Sequence, residues 1–339
     1  MRFAPRARRP HPNRRDACGA IAGLVSAGLL AGPARAADDF PGKPVMLVVP
    51  YGAGTTGDLW ARMVAPRLST LWKQPVIVDN KPGGSAMIGT AHVARSAPDG
   101  HTLLIGSLST SMARLTNASV PFDPQVELVP VFKFLNFHMV FATNSATLAK
   151  AKDLRALVAL SRSTPTGIFF GGTGPGTAFN MTAGFVLKGL AANYSEINYN
   201  GTQPVTIALV RDDVQVAINT PAAFKPQFDN GTVHPIAVLS EERYPDLPGV
   251  PTVREMGYRG FLPTVWSGVF AARGTPQRVL ERIAADLLAV SMAPDMRDRI
   301  ESAFAGVVPQ SDPASFAREL EADTRQWKEY LDSIGFKPA

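Results

Sequence analysis

Apolar and polar positions along this chain of 339 residues follow two alternating rhythms. Lys43 to Tyr51 (K-P-V-M-L-V-V-P-Y) is a short, continuously apolar, valine-rich run, the pattern of a strand buried on both faces. Apolar residues then recur at Leu59, Met63, Val64, Leu68 and Leu71, a spacing that predicts a helix over 58–72. Pro75 to Asn80 is the next strand, a glycine-containing helix covers about 84–95, and a third strand runs from Thr102 to Ser107. The rhythm continues with predicted helices at 152–163, 177–190, 203–211 and 221–229 and strands at 167–171, 195–199, 213–218 and 234–239. Strands alternating with helices argue for an α/β fold of parallel sheets wound on both faces. Two extended passages break the alternation, Val129 to Thr143 and the Pro- and Gly-rich Tyr244 to Ala272. They read as crossovers between two lobes, 37–141 plus 245–339 forming lobe 1 and 142–244 forming lobe 2. Helices predicted at 276–291, 294–304 and 312–332 return to the first lobe.

Charge changes this picture at one end only. The chain is formally +6, which taken alone would suggest nucleic acid or a membrane surface. Residues 1–36, however, carry seven arginines against Asp16 alone, and 37–339 hold 27 basic and 27 acidic residues. A basic nucleic-acid binder is thereby excluded. Arg14-Arg15, the small apolar run Ala17 to Gly32 and Ala34-Arg35-Ala36 have the order of an export signal cleaved after Ala36. Its run is shorter than the ~20 apolar residues needed to span a bilayer. The paired arginines leave the twin-arginine route open. Cys18, the only cysteine, falls inside this segment, so the expected mature chain has no disulfides and no thiol metal ligands. No later stretch is long and apolar enough to anchor it in a membrane. The expectation is a soluble protein outside the cytoplasm, monomeric and without a direct membrane anchor.

Chemistry concentrates in glycine-bearing turns after predicted strands. Gly52-Ala53-Gly54-Thr55-Thr56-Gly57 fits G-x-G-x-x-G, and Asp79 follows at the end of the next strand, as in a dinucleotide fingerprint. Backbone N–H groups at a helix N-terminus serve a phosphate and a carboxylate equally well, and a bare turn with Asp58 as N-cap has the same spelling. Gly171-Gly172-Thr173-Gly174-Pro175-Gly176-Thr177 repeats the design in the second half, Thr173 and Thr177 adding hydroxyl donors. Tyr199-Asn200-Gly201-Thr202 is a third turn. A cleft between lobes would bring neutral donors from both sides onto a small carboxylate. Catalytic and metal constellations are absent from the pattern. His92, His101, His138 and His234 form no close ligand pair, and there is no G-x-S-x-G elbow. Neither an enzyme nor a cofactor is expected. Trp60, Trp72 and Trp327 fall on predicted helices as packing residues, whereas Trp266 fits packing or ligand stacking equally.

In order along the chain these segments resemble the substrate-binding proteins of tripartite tricarboxylate transporters, the Bug-type periplasmic solute receptors. The resemblance is carried by K-P-V-M-L-V-V-P-Y-G-A-G-T-T-G-D (43–58), Q-P-V-I-V-D-N-K-P-G-G (74–84), A-P-D-G-H-T-L-L-I-G-S (97–107), V-P-F-D-P (120–124), F-G-G-T-G-P-G-T (170–177), Y-N-G-T (199–202), L-P-G-V-P-T-V-R-E-M-G-Y (247–258) and G-T-P (274–276). It implies a type II periplasmic-binding-protein fold, two doubly wound lobes closing like a Venus flytrap on a small carboxylated solute. It implies a ligand site at Tyr51, Ala53, Gly54, Thr55, Thr56, Gly57 and Asp58 in the first turn, and at Thr173, Gly174, Gly176 and Thr177 in the second. Tyr199, Asn200 and Gly201 in the third turn, with Ser107 and Asn219 at strand ends, complete the implied set. Membrane subunits of a tripartite transporter are the implied partners. The chain departs from the family where Thr55 follows Gly54, where Asn180 stands in place of a frequent His, and where Asn200 replaces a basic residue after Tyr199. Those losses favour a mono- or dicarboxylate over a tricarboxylate, with amino acids, aliphatic diacids and aromatic acids all left open as the solute. A solute sensor docking on a membrane kinase and an exported NAD-dependent oxidoreductase using the 52–57 turn are the rival readings. Pro50 before that turn and the lack of an acid–base pair speak against the oxidoreductase.

Overall fold

The structure, a computed structural model, describes residues 40–84, 86–174, 177–199, 201–304 and 306–338. The expected export signal 1–36, with Cys18 and the cleavage after Ala36, lies outside the described residues, as do Gly176 and Asn200. The strands are β1 (Val45–Val49), β2 (Val76–Asn80), β3 (Thr102–Ser107), β4 (Leu128–Phe137), β5 (Val140–Asn144), β6 (Ile168–Gly172), β7 (Tyr194–Asn198), β8 (Val216–Asn219), β9 (Val233–Val238), β10 (Val265–Ala272) and β11 (Gly306–Val307). They form a six-stranded sheet in the order β11-β4-β10-β3-β1-β2 and a five-stranded sheet in the order β7-β6-β8-β5-β9. The chain leaves the first sheet after Phe137, enters the second at Val140, and returns between Val238 and Val265.

Both sheets are mixed, which corrects the expectation of parallel ones. β10 runs antiparallel to β3 and β4, and β5 runs antiparallel to β8 and β9. These strands come from the passages that broke the alternation. A strand that arrives from the other sheet has no helical crossover to impose a parallel direction. The helix-linked strands remain parallel: β1 with β2 and β3, and β6 with β7 and β8. Their carboxyl ends, Val49, Asn80 and Ser107 in one sheet and Gly172, Asn198 and Asn219 in the other, therefore share an edge within each sheet. In sheets of this kind ligands bind beyond that edge.

All four tryptophans pack in the interior, so Trp266 is a packing residue. Trp60 stacks on Phe134 at 3.9 Å between centroids, and Trp327 lies 5.3 Å from Phe185 and 5.4 Å from Phe261. Trp72 Nε1 donates to Asp286 at 2.6 Å and Trp266 Nε1 to Asp323 at 2.7 Å. Asp323 sits on the helix Pro313–Ser333, which packs on β4; nearby, the buried Lys133 pairs with Glu319 of the same helix. Burial pushes the Asp323 carboxyl up to about 6; the Trp266 hydrogen bond and Lys133 oppose this, while the Glu319 charge adds to it. A folded-state value above that of an exposed aspartate, about 3.9, means that the native state holds the proton more tightly. This group therefore contributes stability at low pH that is lost as pH rises through about 6. Denaturant unfolding at about pH 4.5 and 7.5 should show that contribution, and Asp323→Asn should remove it. Identical pH profiles for the two proteins would acquit Asp323.

Candidate functional site

The first turn leaves β1 and enters the helix Thr56–Trp72. Gly54 has φ +82°, a conformation that side chains disfavour, and a Cβ on Gly57 would stand 2.9 Å from Ile105 Cγ2. Thr55 Oγ1 donates to the Gly52 carbonyl at 2.9 Å and closes the turn. Thr55, not Asp58, is the N-cap, and it makes no side-chain cap bond. Asp58 is the third residue of the helix, only 1% exposed, and works from beneath. Its carboxylate accepts from the Gly54 amide at 2.8 Å and from Asn80 Nδ2 at 3.0 Å, and pairs with Arg62 at 2.9 Å. Burial pushes this carboxyl up, but the bonds from Arg62, Gly54 and Asn80 outweigh it and hold it below the usual carboxylate range. Asn80 Nδ2 also reaches the Tyr51 carbonyl at 3.2 Å. The amides of Thr56, Gly57 and Asp58 meet no acceptor among the described residues, the ordinary state of a helix's first turn. Such amides attract an anion.

The second turn is organised by Asn180, a residue 3% exposed in the first turn of the helix Ala178–Gly189. Asn180 Oδ1 accepts from the Thr173 amide at 2.7 Å and from Thr173 Oγ1 at 3.3 Å. Its Nδ2 donates to Glu196 at 2.9 Å and to Asn198 at 2.6 Å. A Cβ on Gly172 would lie 2.2 Å from that nitrogen, so only glycine passes here. Thr177 caps the helix, accepting from the Asn180 amide at 3.3 Å and donating to the Gly174 carbonyl at 3.0 Å. The expected hydroxyl donors are thus both committed to shaping the turn, as are the amides of Thr173, Thr177 and Ala178; the Gly174 amide meets no acceptor among the described residues. The third turn is stitched to the second: Tyr199 N donates to the Gly172 carbonyl at 2.9 Å and Gly201 N to the Thr173 carbonyl at 3.3 Å. Burial and the charge of Asp213 raise the Tyr199 phenol above its ordinary value, so it stays a protonated donor.

One short helix, Leu108–Ser111 after β3, joins the two turns. The Tyr51 hydroxyl lies 3.1 Å from Ser107 Oγ and 3.2 Å from Thr110 Oγ1. Ser109 Oγ accepts from the amide of Ala178 at 3.1 Å. The carboxyl-end edges of the two sheets therefore meet at this helix, first turn on one side and second turn on the other. Asn219, 1% exposed at the end of β8, accepts from the Thr220 amide at 2.9 Å, while its Nδ2 has no partner among the described residues. A buried donor left unpaired is costly, and a ligand oxygen would relieve it. None of the expected site residues is basic, and the guanidinium of Arg62 is engaged by Asp58. No group of three or more metal-ligating side chains occurs among the described residues.

Asn80, Ser109 and Thr110 were not expected at the site, and Asn180 was noted only as a departure. The Ser/Thr run S-L-S-T-S directly after a buried strand was the available signal for the helix. Nothing local marks Asn80 or Asn180, because their partners come from other turns.

The family model described as "Tripartite tricarboxylate transporter family receptor" matches residues 60–335. Protein BugT of Bordetella pertussis is 31% identical over 246 residues, 72% of this chain and 75% of that one. The solved structure of R. palustris Rpa4515 with adipate has a TM-score of 0.79 and 25% identity, covering 88% of this chain and 100% of its own. MatC (Rpa3494) from Rhodopseudomonas palustris with bound malate has a TM-score of 0.74 at 25% identity, covering 86% of this chain and 100% of its own.

Proposed function

We propose a function from one premise: the chain belongs to the tripartite tricarboxylate transporter receptor family. It is an exported, periplasmic solute-binding protein that captures a small carboxylate and presents it to the membrane subunits of a tripartite transporter. The observation that carries this reading is the junction at Leu108–Ser111, where Tyr51 of the first turn and Ala178 beside the second converge on one short helix, with the amides of Thr56 to Asp58 unpaired on the first turn. Tyr51 to Asp58 grip from one side; Thr173, Gly174 and Thr177, Tyr199 and Gly201, and the unpaired amide of Asn219 grip from the other. The absence of a free basic side chain from this set supports a mono- or dicarboxylate over a tricarboxylate. Adipate and malate, held by the two similar R. palustris proteins, are dicarboxylates.

A solute touching both halves stabilises the closed state only by its differential affinity for it. Closure is then the signal that the membrane subunits read. Asp79, the acid of the dinucleotide reading, pairs with Lys81 at 3.0 Å. Thermal shift and calorimetry with adipate, malate, monocarboxylates, citrate and NAD test the choice. A bound carboxylate at about 100 times its Kd should add about 2.7 kcal/mol of stability. Stabilisation by NAD with no response to any carboxylate would overturn the reading.

A further inference from the structure

We propose that Ser109 is the closure residue of this receptor, a hydroxyl of the six-stranded half that bonds the helix end of the second turn when the two strand-end edges meet. The consequence for solute affinity rests on the receptor reading above; the closure itself rests on geometry.

The helix Ala178–Gly189 begins with amides that its own turns cannot satisfy. Asn180 N is capped by Thr177 within the same half, whereas Ala178 N donates to Ser109 Oγ at 3.1 Å, across to the other sheet's half. Ser109 is not free to wander. Ser107 Oγ caps its helix by accepting from Thr110 N at 3.4 Å, and the Tyr51 hydroxyl bridges Ser107 and Thr110. The acceptor is thus positioned by the first turn and the donor belongs to the second, so this one bond senses the approach of both. Leu108, Met112, Thr116, Ala178, Met181 and Trp327 line the space around it, all but Thr116 largely apolar. In such apolar surroundings a hydrogen bond strengthens. When the halves separate, water replaces both partners, so the bond biases the equilibrium towards closure without being needed to fold either half.

A net contribution typical of one hydrogen bond corresponds to about a fivefold change in the closed-to-open ratio. The experiment places spin labels in the full chain carrying Cys18→Ser, at the exposed positions Arg95→Cys and Ile207→Cys, one in each half. Pulsed-EPR distances without solute should show Ser109→Ala lowering the closed share about fivefold relative to open, with Ser109→Thr restoring it and the melting temperature unchanged. Identical distance distributions for wild type and Ser109→Ala would overturn the proposal. Adipate is the second probe, its apparent Kd rising by a similar factor in Ser109→Ala. Distances that respond while adipate binds neither protein would uphold closure and count against adipate as solute. Adipate binding both equally, with distances unmoved, would uphold the receptor and sink the role of Ser109.

Discussion

Replacing Asp58 by alanine is expected to lower the unfolding free energy by about 3 kcal/mol and to abolish solute binding. Asp58 is the buried floor of the first turn, and three groups converge on its carboxylate. Alanine leaves the Gly54 amide without an acceptor, leaves Asn80 Nδ2 only the Tyr51 carbonyl, and leaves the Arg62 charge with no carboxylate, held only by Asn80 Oδ1, beside a turn that should present neutral donors. Loss of the Gly54 bond also releases the left-handed glycine that aims the amides of Thr56 and Gly57. Asp58→Asn keeps one acceptor oxygen and removes the charge, so it should fall between the two. The acid side has its own signature. Because the folded carboxyl lies below the usual range, its stabilisation is present above the ordinary carboxylate pKa and is lost as pH falls through the folded value. Asp58→Asn should therefore flatten the acid limb of the unfolding profile. Wild-type melting and wild-type solute affinity in Asp58→Ala would show that the turn does not depend on its floor.

Much of this architecture is written locally. A run such as V-M-L-V-V, apolar at every position, suits only a strand covered on both faces, and β1 is buried along nearly its whole length. The turn after it is legible because glycine is needed at Gly54 for its positive φ and at Gly57 for its closeness to Ile105. What is not local is the choice of sheet. β4 and β5 read as one extended passage, since only His138 and Met139 separate strands that end in different sheets. β10 is buried at all eight positions, yet its sequence lies behind a Pro- and Gly-rich stretch that speaks of loop. The strand expected from 213 begins at Val216 instead, because Asp212 takes a left-handed conformation, φ 63°, and ends the preceding helix there. The site divides in the same way. The glycines and threonines of the turns are visible as motifs, whereas the residues that shape them, Asp58, Asn80 and Asn180, act through partners that only the fold supplies.

Asn180→Ala is expected to weaken solute binding at least tenfold and to lower the unfolding free energy by about 2 kcal/mol. Four hydrogen bonds end on this buried amide, and they tie the strand end at Gly172, the Thr173 amide and the end of β7 into one unit. Alanine leaves the Thr173 amide unpaired and leaves the Thr173 hydroxyl only Thr177 Oγ1, 3.3 Å away, as a partner. The third turn moves with it, because Tyr199 and Gly201 hang from Gly172 and Thr173 by their own amides. The larger share of the loss should therefore appear in affinity. Asn180→Asp separates shape from charge. An aspartate can still accept from Thr173, but ionised it cannot donate to Asn198 and it repels Glu196, 2.9 Å from the nitrogen it replaces. Burial and that neighbour would raise its pKa, so the variant should bind poorly at neutral pH and recover as pH falls and the acid becomes a donor. Calorimetry across pH with any carboxylate that binds the wild type decides the matter. Affinity within twofold of wild type in Asn180→Ala would mean that the second turn holds its shape, or the solute, by other groups.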